Sequence, residues 1–245
     1  MALVTGATSG IGTDIARRLA ADGLHVVASG RDPVRGRALA AELGDAATFV
    51  RADLTEDRGP EGLVDAAVRL RGRLDVLVNN AAVDHTGALL DTPASEVRAT
   101  FETNVFAAIA CLQAAARVMR DSGRGGAIIN ITSRLAHIGV PTMSVYSASK
   151  GALLALTTAA AVELAPWNIR VNAVAPGMTR TPLFSAWLAE QRDPVAVEHE
   201  VASEIPLGRI ALPDDVAAVV AFLARTEAAY LTGASIPVDG GYLAK

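Results

Sequence analysis

The sequence predicts a doubly wound α/β fold: a parallel sheet with helices on both faces. Short apolar runs alternate with segments of helical periodicity along the whole chain, and that alternation implies right-handed crossovers. The first run ends in a glycine-rich turn that opens directly into a helix. Hydrophobic residues make up 51% of the chain and aromatic ones only 4%, so the core is built from Ala, Val, Leu and Ile. Small side chains of that kind suit helices packed closely on a sheet.

Seven runs read as strands, at residues 2–5, 25–29, 48–51, 75–79, 127–131, 170–175 and 235–238. The helical segments between them span 11–22, 33–43, 59–71, 93–121, 147–164 and 213–224. Pro93 and Pro213 stand where a helix's first turn tolerates proline, and Gly123 stands where a helix stops. No repeat, linker or low-complexity tract interrupts the pattern. A chain of 245 residues suits one domain, 1–245, with a large core.

Composition excludes several classes of function. The net charge is −4 with acids and bases interspersed, which offers no broad basic face for nucleic acid. Cys111 is the only cysteine, so no intrachain disulfide forms and a reducing cytoplasm is expected. The chain runs from Met1 straight into a strand without a basic, apolar leader. The apolar run at 216–224 is far shorter than the ~20 residues of a membrane span, so no membrane partner is expected. The four histidines lack zinc-site spacing, and no catalytic metal is expected.

Two motifs carry chemistry. Thr5-Gly6-Ala7-Thr8-Ser9-Gly10-Ile11-Gly12 joins the first strand to the first helix. Its glycines let the backbone approach a ligand, and the helix N-terminus offers free N–H groups to a phosphate. The spacing is Gly-x-x-x-Gly-x-Gly. In a strand–turn–helix context this reads as a dinucleotide site of Rossmann type. Further on, Tyr146 and Lys150 are four residues apart at a helix start, which puts both on one face. A free tyrosine titrates near pKa ~10, and a neighbouring ammonium favours its phenolate. Ser133 follows the fifth strand, at the sheet edge where open α/β folds bind ligands.

With Asn79-Asn80-Ala81-Ala82, Asn104 and Pro176-Gly177 in the same order, the chain resembles the short-chain dehydrogenase/reductase family over essentially its whole length. Ala82 departs from the family's usual glycine, and a positive φ there would strain it.

The resemblance implies a set of roles. Gly6, Ser9, Gly10, Ile11 and Gly12 line the pyrophosphate and adenosine ribose. Asp53 accepts from the adenine amino group with Leu54 against the ring. Asn80 and Ala81 contact the cofactor's ribose region, with Asn79 a clamp between strands. Pro176, Gly177, Thr179 and Thr181 lie by the nicotinamide and phosphates. Ser133 holds the substrate oxygen, Tyr146 protonates it, Lys150 favours phenolate and orients the cofactor, and Asn104 holds a water that links Lys150 to solvent. The implied reaction is hydride transfer between a ketone and a secondary alcohol. A non-catalytic dinucleotide sensor would break the Ser–Tyr–Lys set, which here is intact. Isomerase or dehydratase relatives usually carry a longer C-terminal substrate domain, which this chain lacks.

The second strand decides the cofactor. Gly30 stands where an NAD-selecting carboxylate belongs, and Arg31 offers a forked cation to a 2′-phosphate, so NADP(H) is expected in preference to NAD(H). Asp32 reads as the cap of the helix that starts at Pro33.

The substrate loop is expected at about 181–206, carrying Phe184, Trp187 and Leu188 among several acids. It suggests an apolar or weakly polar small-molecule carbonyl or alcohol. Arg134 and Arg180 leave room for a carboxylate, and His85 and His137 are candidates for the pocket edge. Alanine-rich faces on the helices holding Asn104 and Tyr146 predict burial on more than one side, hence a homotetramer or, failing that, a dimer.

Overall fold

A computed structural model describes all residues from Met1 to Lys245. Seven parallel strands form one sheet in the order β3-β2-β1-β4-β5-β6-β7. They are β1 (Ala2–Val4), β2 (Val26–Gly30), β3 (Ala47–Arg51), β4 (Val76–Asn79), β5 (Gly126–Ile131), β6 (Ile169–Pro176) and β7 (Ser235–Val238). Winding reverses between β1 and β4, which leaves a crevice at the carboxyl ends of those strands.

Side chains alternate across each strand and so feed two separate cores. Ala2 and Val4 point to one face, where they meet α1 (Ile11–Ala21), α2 (Pro33–Leu43) and α9 (Pro213–Ala224). Leu3, between them, points to the other face and meets α3 (Gly59–Arg71), α5 (Ala107–Asp121) and α6 (Ser144–Leu164). Both faces of the central strands are thus dry, as a parallel sheet requires.

Local signals set most helix ends. Asp32 caps α2 by accepting from the amides of Val34 and Arg35, as predicted. Gly123, at φ 66°, follows α5, and its amide donates to Arg120 O.

The long predicted helix 93–121 is in fact two. Pro93 stands just outside α4 (Ala94–Phe101), and a π-helical turn, Glu102–Phe106, separates α4 from α5. The predicted loop 181–206 also holds two helices, α7 (Pro182–Ala189) and α8 (Pro194–Ser203). They close over a small core of their own, Phe184, Leu188, Ile205 and Ile210. Their apolar periodicity is too short to stand out from a loop in the sequence.

α6 begins a turn earlier than predicted, at Ser144. With the turn after it, it is long and apolar enough by length and composition to cross a membrane, contrary to the prediction from shorter runs. It packs along β6 and carries a buried lysine, which identifies it as a core helix.

Candidate active site

The carboxyl ends of β1 to β6 open into one large cleft of about 1020 Å³. Gly6, Thr8, Ser9, Gly10 and Ile11 line it after β1, and Gly30 and Arg31 line it after β2. Asp53 and Leu54 follow β3, Asn80 and Ala81 follow β4, and Ser133 follows β5. Tyr146 and Lys150 enter from α6, while Pro176, Gly177, Thr179 and Thr181 complete the far side. Nearly every predicted site residue therefore meets in one place.

The glycine-rich turn is shaped by close contacts. Gly6 and Gly10 have φ of +64° and +55°, where a side chain is strained. Gly12 is a correction: it does not line the cleft but packs beneath it. A Cβ there would stand 2.3 Å from Gly6 O, so glycine is what lets α1 approach the turn. The Asn80 amide faces the same turn, donating to Thr5 O and Gly6 O, so it braces the loop while its edge lines the cleft. Thr5 Oγ1 ties β1 to β4 by accepting from the amides of Asn80 and Ala81. Ala82 has no positive φ, so alanine adds no strain.

At the adenosine end Asp53 is partly engaged. Its Oδ1 accepts from Thr55 N at 3.0 Å and Thr55 Oγ1 at 2.7 Å, and these bonds hold its pKa below the usual carboxylate value. One oxygen stays available. Arg31 forms no ion pair, whereas Arg35, a lining cation the sequence reading missed, is tied to Asp32 at 2.7 Å. Thr8 was missed too. Its side chain fills the space beside Gly30, where a Cβ would stand 2.6 Å from Thr8 Oγ1.

At the opposite end Ser133 Oγ accepts from Leu135 N at 3.1 Å, which fixes the serine at the start of a tight turn. Lys150 is 2% exposed and donates to Ile131 O at 2.9 Å, with its Nζ 5.6 Å from the centre of the Tyr146 ring. Burial lowers Lys150 to about 8, against an opposing pull from Asp84. The expected phenolate is not favoured. Burial and then the charge of Asp84 push Tyr146 well above the ordinary phenol value, and a hydrogen bond with Ser133 only partly offsets them. Tyr146 is therefore held protonated.

Asn104 is fully buried in the π-helical turn, outside the cleft. Its Nδ2 donates to Val83 O at 2.9 Å and Ser149 Oγ at 3.1 Å, and its Oδ1 accepts from Val83 N at 2.8 Å. The side chain makes no direct hydrogen bond to Lys150, and it fixes the segment after β4. Asn79 is the clamp it was read to be, donating to Ala108 O and to Asn130 Oδ1. Asn130 in turn donates to Thr157 on α6, a buried network that the sequence did not reveal.

Other candidates fall outside. His85 bonds Glu96 and His137 lies by Ser235, and neither lines the cleft. Arg180 turns away to pair with Glu198. Of the loop acids only Glu190 lines the cleft.

A doubly wound sheet, a glycine cradle at its switch point and a Ser–Tyr–Lys set across the same cleft define a dinucleotide-dependent oxidoreductase. A family model described as Enoyl-(Acyl carrier protein) reductase matches residues 6–243. An L-rhamnose 1-dehydrogenase (NAD(P)(+)) of Azotobacter vinelandii is 41% identical over 98% of this chain and 94% of its own. A short-chain type dehydrogenase/reductase from Mycobacterium marinum superposes with TM-score 0.91 at 38% identity, covering 100% of this chain and 95% of that one. The structure of ElxO with NADP bound superposes with TM-score 0.92 at 30% identity, covering 100% and 98%. The chain belongs to the short-chain dehydrogenase/reductase family, whose dehydrogenases use NAD(P)(H) and act on small molecules.

Proposed function

We propose that this protein interconverts a ketone and a secondary alcohol, using NADP(H) in preference to NAD(H). The observation that carries the reading is the convergence of Ser133, Tyr146 and Lys150 at the end of the cleft opposite Arg31. The cleft fits the cofactor: its turn has the close packing and positive φ values that favour glycine, and Arg31 is an unpaired cation at the second strand's end. When bound, the dinucleotide supplies or accepts the hydride.

The chain's own residues do the rest. Ser133 holds the substrate oxygen, where charge gathers during reduction. Tyr146, kept protonated by its surroundings, donates to that oxygen, and in oxidation it takes the proton back. Lys150 stands beside it, still a cation at pH 7 with its pKa lowered to about 8, and is positioned by Ile131 O. Asn104 acts indirectly, by fixing Val83 over the cleft.

General acid catalysis is worth ~10²–10⁴-fold, and Tyr146→Phe should lose that much turnover while still binding NADPH. Absorbance at 340 nm with a panel of ketones and alcohols reads the turnover, and calorimetric titration with NADPH reads the binding. Activity within tenfold of the unmodified protein removes Tyr146 from the mechanism. Net cofactor turnover also separates this reading from a sensor or an isomerase, since neither changes the cofactor stoichiometrically.

We also propose a cytoplasmic homotetramer. Phe106 at the start of α5 and Val162 on α6 are 53% and 76% exposed, apolar surface that a second copy would cover. Light scattering at micromolar concentration should give a multiple of the 25.2 kDa chain, and a monomeric mass refutes it.

A further inference from the structure

We infer that Asp84 determines substrate specificity: its carboxylate favours carbonyl and carbinol substrates carrying a hydrogen-bond donor, hydroxyl or ammonium, beside the reacting carbon, and disfavours substrates with a carboxylate there. The inference rests on the oxidoreductase reading and names the substrate class of that site.

Asp84 lines the cleft with Ser133, Tyr146, Thr86 and Met143. The segment that carries it is gripped on both sides. Before it, Asn104 holds both the N–H and the C=O of Val83. After it, Gly87 N donates to Thr142 O at 2.9 Å, Thr86 Oγ1 meets Met143 Sδ at 3.3 Å, and His85 Nε2 lies 2.9 Å from Glu96 Oε2. Thr142 and Met143 lead directly into α6, so Asp84 is fixed relative to Tyr146. A backbone so held keeps little freedom to lose on binding.

The carboxylate is only half used. Its Oδ1 accepts from His85 N at 2.8 Å, and its other oxygen has no protein partner. No cation forms an ion pair with it at this end of the cleft, although its charge acts on Lys150 through space. Lys150 is spent on Ile131 O, and the Arg134 guanidinium lies 4.0 Å over the Tyr242 ring. The remaining charged residue here is Glu190, of the same sign. Arg31, which forms no ion pair, sits at the opposite end beside Asp53 and the Arg35–Asp32 pair, so the free cation lies where a 2′-phosphate would bind and the free carboxylate oxygen of Asp84 where the substrate would. The charge of Asp84 reaches the reacting groups, since it raises both Tyr146 and Lys150.

The test uses four matched ketones with NADPH: aminoacetone, hydroxyacetone, 2-butanone and pyruvate. The unmodified protein should rank them in that order of kcat/KM. Asp84→Asn keeps an acceptor for His85 N and removes the charge, so the ratio of aminoacetone to pyruvate should fall at least tenfold, the scale of a hydrogen bond to a charged group. An unchanged ratio, or an equal loss on all four ketones, overturns the assignment. Calorimetric binding of the same ligands to Tyr146→Phe with NADPH reads the order without turnover. There, equal affinities with and without Asp84→Asn also overturn it, whereas the stated binding order without turnover by the unmodified protein supports Asp84 and sinks only the oxidoreductase reading.

Discussion

At the dinucleotide end the cleft is shaped mainly by backbone: Gly6 and Gly10 at positive φ, Gly12 pressed against Gly6 O, and Asn80 bracing the turn from β4. At the substrate end it is built from side chains: Ser133, Tyr146, Lys150 and Asp84, arriving from three separate stretches of chain. In the first region a side chain at Gly6 or Gly12 would run into backbone, and no titration is needed. The second depends on charge, with a lysine buried and a phenol held protonated. Changes at the two ends should therefore fail differently, one through packing and binding, the other through electrostatics.

Lys150→Met should separate the two most widely, because it removes a buried charge without changing the shape much. The folded pKa of about 8 lies below the ordinary 10.5, so the unfolded chain binds the extra proton between those values. The cost to stability is therefore full below pH 8 and fades as the pH rises towards 10.5. Without cofactor, Lys150→Met should be more stable at pH 7 by on the order of 3 kcal/mol, with turnover lost. Denaturant unfolding at pH 7 and pH 10 checks both size and sign. A variant less stable at pH 7 would mean that the bond to Ile131 O outweighs burial.

Arg31→Ala tests the one place where the backbone-built end uses charge. Losing a charged hydrogen bond of ~1.5–3 kcal/mol should reduce the NADPH preference roughly ten- to 150-fold. The comparison is kcat/KM for NADPH against NADH, and an unmodified protein that favours NADH shows that Arg31 plays no part. Gly30→Asp is a poorer probe, because Thr8 already fills that space.

Gly12→Ala should give the purely steric result. Its Cβ meets a backbone carbonyl that has no rotamer to escape into, so overpacking should cost ~1–3 kcal/mol and weaken NADP(H) binding. The denaturation midpoint and cofactor titration read this, and a neutral substitution would mean that α1 slides away from the turn at no cost.

The residues most legible in the sequence were those whose function is written in local spacing. Strand–helix alternation, the glycine turn, the cap at Asp32 and the Tyr146–Lys150 pair each depend on residues within a few positions of one another, and each is where it was read. Local periodicity also placed six of the helical segments, but it could not see the π-helical turn inside 93–121, which is stabilised by the grip of Asn104 on Val83, twenty-one positions away. It could not separate α7 and α8 from a loop either, since their apolar residues find partners in positions outside both helices such as Met178, Ile210 and Tyr242. The adjacency of β1 and β4, the filling of Gly30's space by Thr8 and the placing of Asp84 in the cleft with Tyr146 and Lys150 are likewise products of packing. So is the protonated state of Tyr146: the sequence shows an ammonium four residues away, but burial and a carboxylate from the segment after β4 outweigh it. Sequence by itself determined most of the residues that meet in the cleft, because spacing is a property of the chain. Tertiary structure decided their charge states and neighbours, because desolvation and Coulomb forces act through space.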